Sequence, residues 1–75
     1  MENMATDEPA KGDALYDEIR KTVGEFQDRD AAYYLLRPVG GGREWAAMPE
    51  VLRPATQAEL LSARVKAANR AGRMP

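Results

Sequence analysis

The side chains that carry most near-neutral chemistry are missing from this sequence, which contains no histidine and no cysteine. That excludes an imidazole base, a thiolate nucleophile, a zinc site built from either residue, and a disulfide framework. The lone serine, Ser62, has no histidine to activate it. Glu25, Glu44 and Glu50 are carboxylates that could move protons, but their spacing marks no pocket. Asp28 and Asp30, with Asp17 or Glu25, offer oxygens to a hard cation, yet the glycine and distal glutamate of a calcium loop are missing. The run Gly40-Gly41-Gly42 suggests a phosphate cradle, which needs a strand before it and a helix start after it. Arg43-Glu44-Trp45 follows instead, so the glycines read as a hairpin reversal. No catalytic residue, cofactor or metal is assigned on these grounds.

The remaining chemistry is that of binding. Arg37, Arg43 and Arg53 flank Tyr33, Tyr34 and Trp45, and arginine beside exposed aromatics is how single-stranded nucleic acid is held, by phosphate contact and base stacking. The same residues fit a simpler account, with the aromatics in the core and the arginines paired to Glu44, Glu50 or the acidic N-terminal half.

Composition narrows the class. Seventy-five residues leave room for one small domain with little capacity for a deep cavity, and 44% apolar with 31% charged residues is a globular balance, not that of a disordered chain. The net charge of −1 conceals an asymmetry: residues 1–30 hold nine acids against four bases, and residues 31–75 hold three against seven. A basic half can face an acidic partner or the acidic half of its own fold. The absence of cysteine suits a reducing compartment, the acidic start lacks signal-peptide character, and no apolar run reaches membrane-spanning length. These features predict a cytoplasmic protein with no membrane association, as a monomer or homodimer.

Along the chain, residues 1–12 lack periodicity and are expected to be a disordered leader, with a single domain over 13–75. In residues 13–27, Leu15, Ile19, Val23 and Phe26 have helical spacing, but Thr22-Val23-Gly24 is a poor helix interior. Two strands, 14–19 and 22–27, are the preferred alternative. Asp28-Arg29-Asp30 reads as a turn, followed by a strand over 32–37 whose apolar residues on both faces predict cover on both sides. Pro38 ends central pairing. After the glycine reversal a partner strand runs over 43–48, with Trp45 and Ala47 on one face, and 51–53 forms a short edge strand between Pro49 and Pro54.

Thr56-Gln57-Ala58-Glu59 matches a capping box and opens a helix over 57–70. Its apolar stripe, Ala58, Leu61, Val65 and Ala68, is expected to pack on the sheet, so truncating Leu61 should cost about 2–5 kcal/mol. The fold class is therefore mainly β: a small antiparallel barrel-like sheet of four to five strands with one C-terminal α-helix.

The segments Gly12-Asp13-Ala14-Leu15-Tyr16-Asp17, Val23-Gly24-Glu25-Phe26, Tyr34-Leu35-Leu36-Arg37-Pro38, Gly40-Gly41-Gly42-Arg43-Glu44-Trp45, Leu52-Arg53-Pro54-Ala55-Thr56, Leu61-Ser62-Ala63-Arg64-Val65 and Ala67-Ala68-Asn69 together resemble a set of small, largely uncharacterised actinomycete proteins. The Gly-Asp and Val-Gly openings look like those of Src-homology-3-like or KOW-like barrels, where a first strand and a glycine-marked second strand start the meander. The resemblance implies strands over 13–27 but no activity. Ala46 and Ala47 depart from it, standing where acidic or bulkier residues belong. The order of aromatic strand, tryptophan strand and helix is also distantly similar to MbtH-like proteins, which bind adenylation domains, although their Ser-Leu-Trp-Pro and Pro-Gly-Trp segments are missing.

The sequence thus predicts a non-catalytic accessory or regulatory module that binds a protein partner, with Tyr33, Arg37, Arg43, Trp45, Arg53, Arg64 and Arg70 as candidate contacts. Nucleic-acid association through Arg37, Arg43, Arg53, Arg64, Lys66, Arg70 and Arg73 is the alternative.

Overall fold

The computed structural model describes residues 8–72. It is mainly β: β1 (Ala14–Asp17), β2 (Thr22–Asp30), β3 (Tyr33–Pro38), β4 (Trp45–Ala47), a one-turn 3-10 helix (Pro49–Val51), β5 (Leu52–Pro54) and the helix α1 (Gln57–Gly72). The strands form one antiparallel sheet in the order β4-β3-β2-β1-β5. β4 and β5 are its two edges, so the barrel-like closure expected from the sequence is not completed.

Residues 13–27 are strands, as the β-branched Thr22-Val23 pair and Gly24 require. β1 stops at Asp17, short of the expected Ile19. The Asp17 carboxylate accepts hydrogen bonds from the amides of Ile19 and Arg20, and its carbonyl accepts from Lys21, so the chain turns there. Lys21 completes the turn at φ 58°.

Asp28-Arg29-Asp30 is not the turn its composition suggests. β2 runs through it, and the reversal falls on Ala31, at φ 56°, and Ala32. A bulge at Gln27 lies between the Phe26–Leu36 and Asp28–Leu35 pairs. The extra residue resets the alternation, so Asp28 pairs beside Leu35 on the outer face instead of lying over the core. β3 is covered on one face only beyond its centre: Leu36 is fully buried, Leu35 is half-buried, and Tyr33 is 47% exposed. β4 is shorter than the expected 43–48, with Arg43 and Glu44 in the loop. Val51 belongs to the 3-10 turn, and Pro54 completes edge strand β5 opposite Leu15.

Leu15, Phe26, Leu36 and Ala47 form the buried cluster on one face of the sheet, joined by Tyr34, Trp45, Val51 and Leu52. Phe26 and Tyr34 meet edge to face at 5.0 Å. Residues 1–7 of the expected leader lie outside the described residues. From Ala10 onward the chain is folded: Ala10 and Asp13 bond reciprocally in a turn, and the Gly12 amide donates to Phe26.

The capping box forms as the sequence predicts: the Glu59 amide donates to Thr56 Oγ1, and the Thr56 amide donates to Glu59 Oε1, both at 3.0 Å. α1 docks by a different face from the one its hydrophobic spacing predicts. Leu61 and Val65 are 62% and 50% exposed, and Ala58 and Ala68 of the same stripe are exposed. The half-buried stripe is instead Leu60, Ala63 and Ala67. A physical reason lies in the glycine loop, where a Cβ on Gly40 would stand 2.6 Å from that of Ala67. Backbone and helix approach so closely that only small side chains fit between them.

Candidate binding surface

Trp45 projects from edge strand β4 onto the buried face, and its indole lies over Gly24 of β2. A Cβ at Gly24 would meet the indole Cη2 at 2.6 Å and Leu36 Cβ at 3.0 Å, so this strand-interior glycine marks a close approach. Beyond Gly24 the indole Nε1 donates to Oδ2 of Asp17 at 3.0 Å. Trp45 and Asp17 are three strands and four residues apart in register, roughly 19 Å in a flat sheet, so their contact requires the sheet to coil about this face. Asp17 is 2% exposed, and its three donors, the indole and two amides, satisfy the carboxylate. The Arg20 guanidinium covers the indole's other side at 4.8 Å.

Arg53, on β5, is the most heavily engaged of the candidate residues. Its guanidinium forms a two-pronged contact with Glu59, at 2.9 and 2.6 Å, bonds Glu18 at 3.0 Å, and stacks over the Tyr16 ring at 4.5 Å. The hydrogen bonds from Arg53, with those from Thr56, hold the Glu59 carboxyl at about 2, against an ordinary 4.5. The Arg53 guanidinium is correspondingly raised, first by the bond to Glu59. This cluster ties α1 to the sheet edge.

The other candidate residues are dispersed. Arg37 pairs with Glu44 across the base of the glycine loop at 3.4 Å. Arg43 is exposed within that loop, and Tyr33 is exposed at the β2–β3 turn. Arg64 and Arg70 are exposed on α1, where Arg70 shares a groove of about 340 Å³ with Lys21 and Lys66. The structure therefore brings Arg53 together with Tyr16 and Glu59, and Arg70 with two lysines, but does not gather the candidates into one patch.

Arg20 and Lys21 do not stand out in the sequence as site residues, and Asp17 enters there only as an oxygen donor for a cation, because nothing local distinguishes a buried aspartate from a turn aspartate. Gly24 carries a usable signal, a glycine inside an otherwise β-branched and aromatic strand. Among the described residues, no helix is long and apolar enough to cross a membrane. No protein-family model matches the chain, and neither a curated protein nor a solved structure is detectably similar to it.

Proposed function

We propose that this protein is a non-catalytic binding module that recruits a protein partner through the outward face of α1, and that the docking segment is an acidic amphipathic helix. The observation that carries this reading is the exposure of Leu61 and Val65, at 62% and 50%, on a helix already anchored by its opposite face. Ala58, Leu61, Val65 and Ala68 follow the alternating three- and four-residue spacing of a helix-pairing seam. Small residues at its two ends allow a second helix to approach closely.

Charge selects the partner. Arg64 borders the seam, and the helix's single acid, Glu59, lies off it and is held by Arg53. A second copy would bring another Arg64 to the seam and no acid, whereas an acidic flank would complement it. A seam this short buries less than a standard interface, which fits a weak, reversible contact.

The nucleic-acid reading is weaker because Arg37 is paired with Glu44 and Arg53 with Glu18 and Glu59. Arg73 lies outside the described residues. The test is capture from native lysate with the wild type and with Leu61→Glu/Val65→Glu. The proposal expects a protein recovered only by the wild type, whose acidic helix binds saturably as a synthetic peptide. Recovery of the same proteins by both, recovery of none, or self-association through the seam would contradict it.

A further inference from the structure

The groove between the β1–β2 turn and α1 has a different character from the outward seam. Lys21 enters it from the turn, and Lys66 and Arg70, one helical turn apart, enter it from α1. Thr22 and Ser62 add hydroxyls, and Val39 supplies an apolar wall. Arg29, Arg37 and Arg53 are paired with carboxylates; among the described residues Lys21, Lys66 and Arg70, like Lys11, Arg20, Arg43 and Arg64, have no such partner, but only these three converge on one groove. The acid on the groove wall, Glu59, is occupied by Arg53.

Lys21 adds an independent observation. Its φ of 58° lies in the left-handed region, which glycine enters freely and lysine does not. A strained backbone position thus places an ammonium at the groove, where strain and function often coincide. The Arg70 side also borders the hollow formed by Gly40, Gly41 and Gly42, so the groove stays open toward that loop.

We propose that this groove binds a phosphate monoester carried on a small apolar group. Three cations suit a dianion better than a single carboxylate, and the guanidinium and hydroxyls can donate hydrogen bonds to its oxygens. The volume of about 340 Å³ accommodates a phosphoryl group with one ring-sized substituent against Val39. The site is independent of the partner seam, since Leu61 and Val65 do not line it.

Calorimetric titration at low salt with phenyl phosphate, inorganic phosphate and benzoate tests the proposal. Phenyl phosphate is expected to bind one to one and at least about tenfold tighter than either of the others, a margin of one lost contact or charge. Lys66→Gln/Arg70→Gln is expected to weaken it at least about tenfold. Lys21→Gly should weaken it similarly without lowering the unfolding midpoint, because glycine accepts the left-handed turn. The absence of saturable binding, equal affinity for benzoate, unchanged binding by these variants, or tighter binding of a single-stranded oligonucleotide would overturn the proposal.

Discussion

The indole nitrogen of Trp45, on one edge strand, donates a 3.0 Å hydrogen bond to the buried carboxylate of Asp17, which ends β1 three strands away. The same carboxylate closes the β1–β2 turn through the amides of Ile19 and Arg20. One side chain therefore sets both a local reversal and the coil of the sheet. Asp17→Ala should destabilise the domain by about 2–3 kcal/mol, because an unpaired, partly buried indole donor is added to two backbone amide donors that lose their acceptor. Trp45→Phe, which removes the donor and part of the ring, should cost about 1–2 kcal/mol. Urea unfolding followed by circular dichroism measures both.

Gly24 should be nearly irreplaceable while Trp45 is present. Gly24→Ala places a methyl 2.6 Å from the indole and should cost about 1–3 kcal/mol by overpacking. In the Trp45→Phe background the distal ring is gone, and the penalty should fall by at least about half. A double-mutant cycle showing simple additivity would mean that the two residues do not meet.

Gly40 governs how closely α1 approaches the glycine loop. Gly40→Ala combines a left-handed φ of 89° with a 2.6 Å clash against Ala67. It should lower stability by about 2 kcal/mol or more. Ala67→Gly should recover only part of this, since it removes the clash but not the backbone strain. Thermal unfolding of the two single variants and the double variant separates the two contributions.

Acid should loosen α1 from the sheet before the rest of the domain unfolds. The Arg53 guanidinium keeps Glu59 ionised down to about 2, against an ordinary 4.5. A carboxyl lowered in the folded state contributes stability that is complete above its ordinary value and is lost as pH falls through the folded one. The unfolding midpoint should therefore decline between pH 4.5 and about 2, and Glu59→Gln should flatten that decline. Raising salt should weaken the effect, because the pair is only partly buried.

The legible parts of the fold were those with local causes. The Thr56–Glu59 capping box, the Gly40–Gly42 reversal and the β-branched Thr22-Val23 strand each follow from a few neighbouring residues. Asp28-Arg29-Asp30 misled because turn composition and an exposed strand end look alike, and it is the Gln27 bulge that puts Asp28 and Asp30 on the strand's outer face. The helix misled for a related reason. α1 carries two apolar stripes, and hydrophobicity favours Leu61 and Val65, whereas close contact with Gly40 selects the small Ala67 and with it the stripe of Leu60 and Ala63. The Asp17–Trp45 bond joins residues 28 positions apart and has no signature in either segment. Of the candidate site, the sequence supplied the arginines and aromatics but not which of them are tied up internally.

The claim that α1 turns its larger apolar side chains toward a partner is tested most directly by the unfolding free energy of Leu61→Gln/Val65→Gln. Because both positions are at least half exposed, the account predicts a loss within about 1 kcal/mol, the range for two surface substitutions. A loss of about 2–5 kcal/mol, the range for a truncated core leucine, would place this stripe in the core and contradict the account.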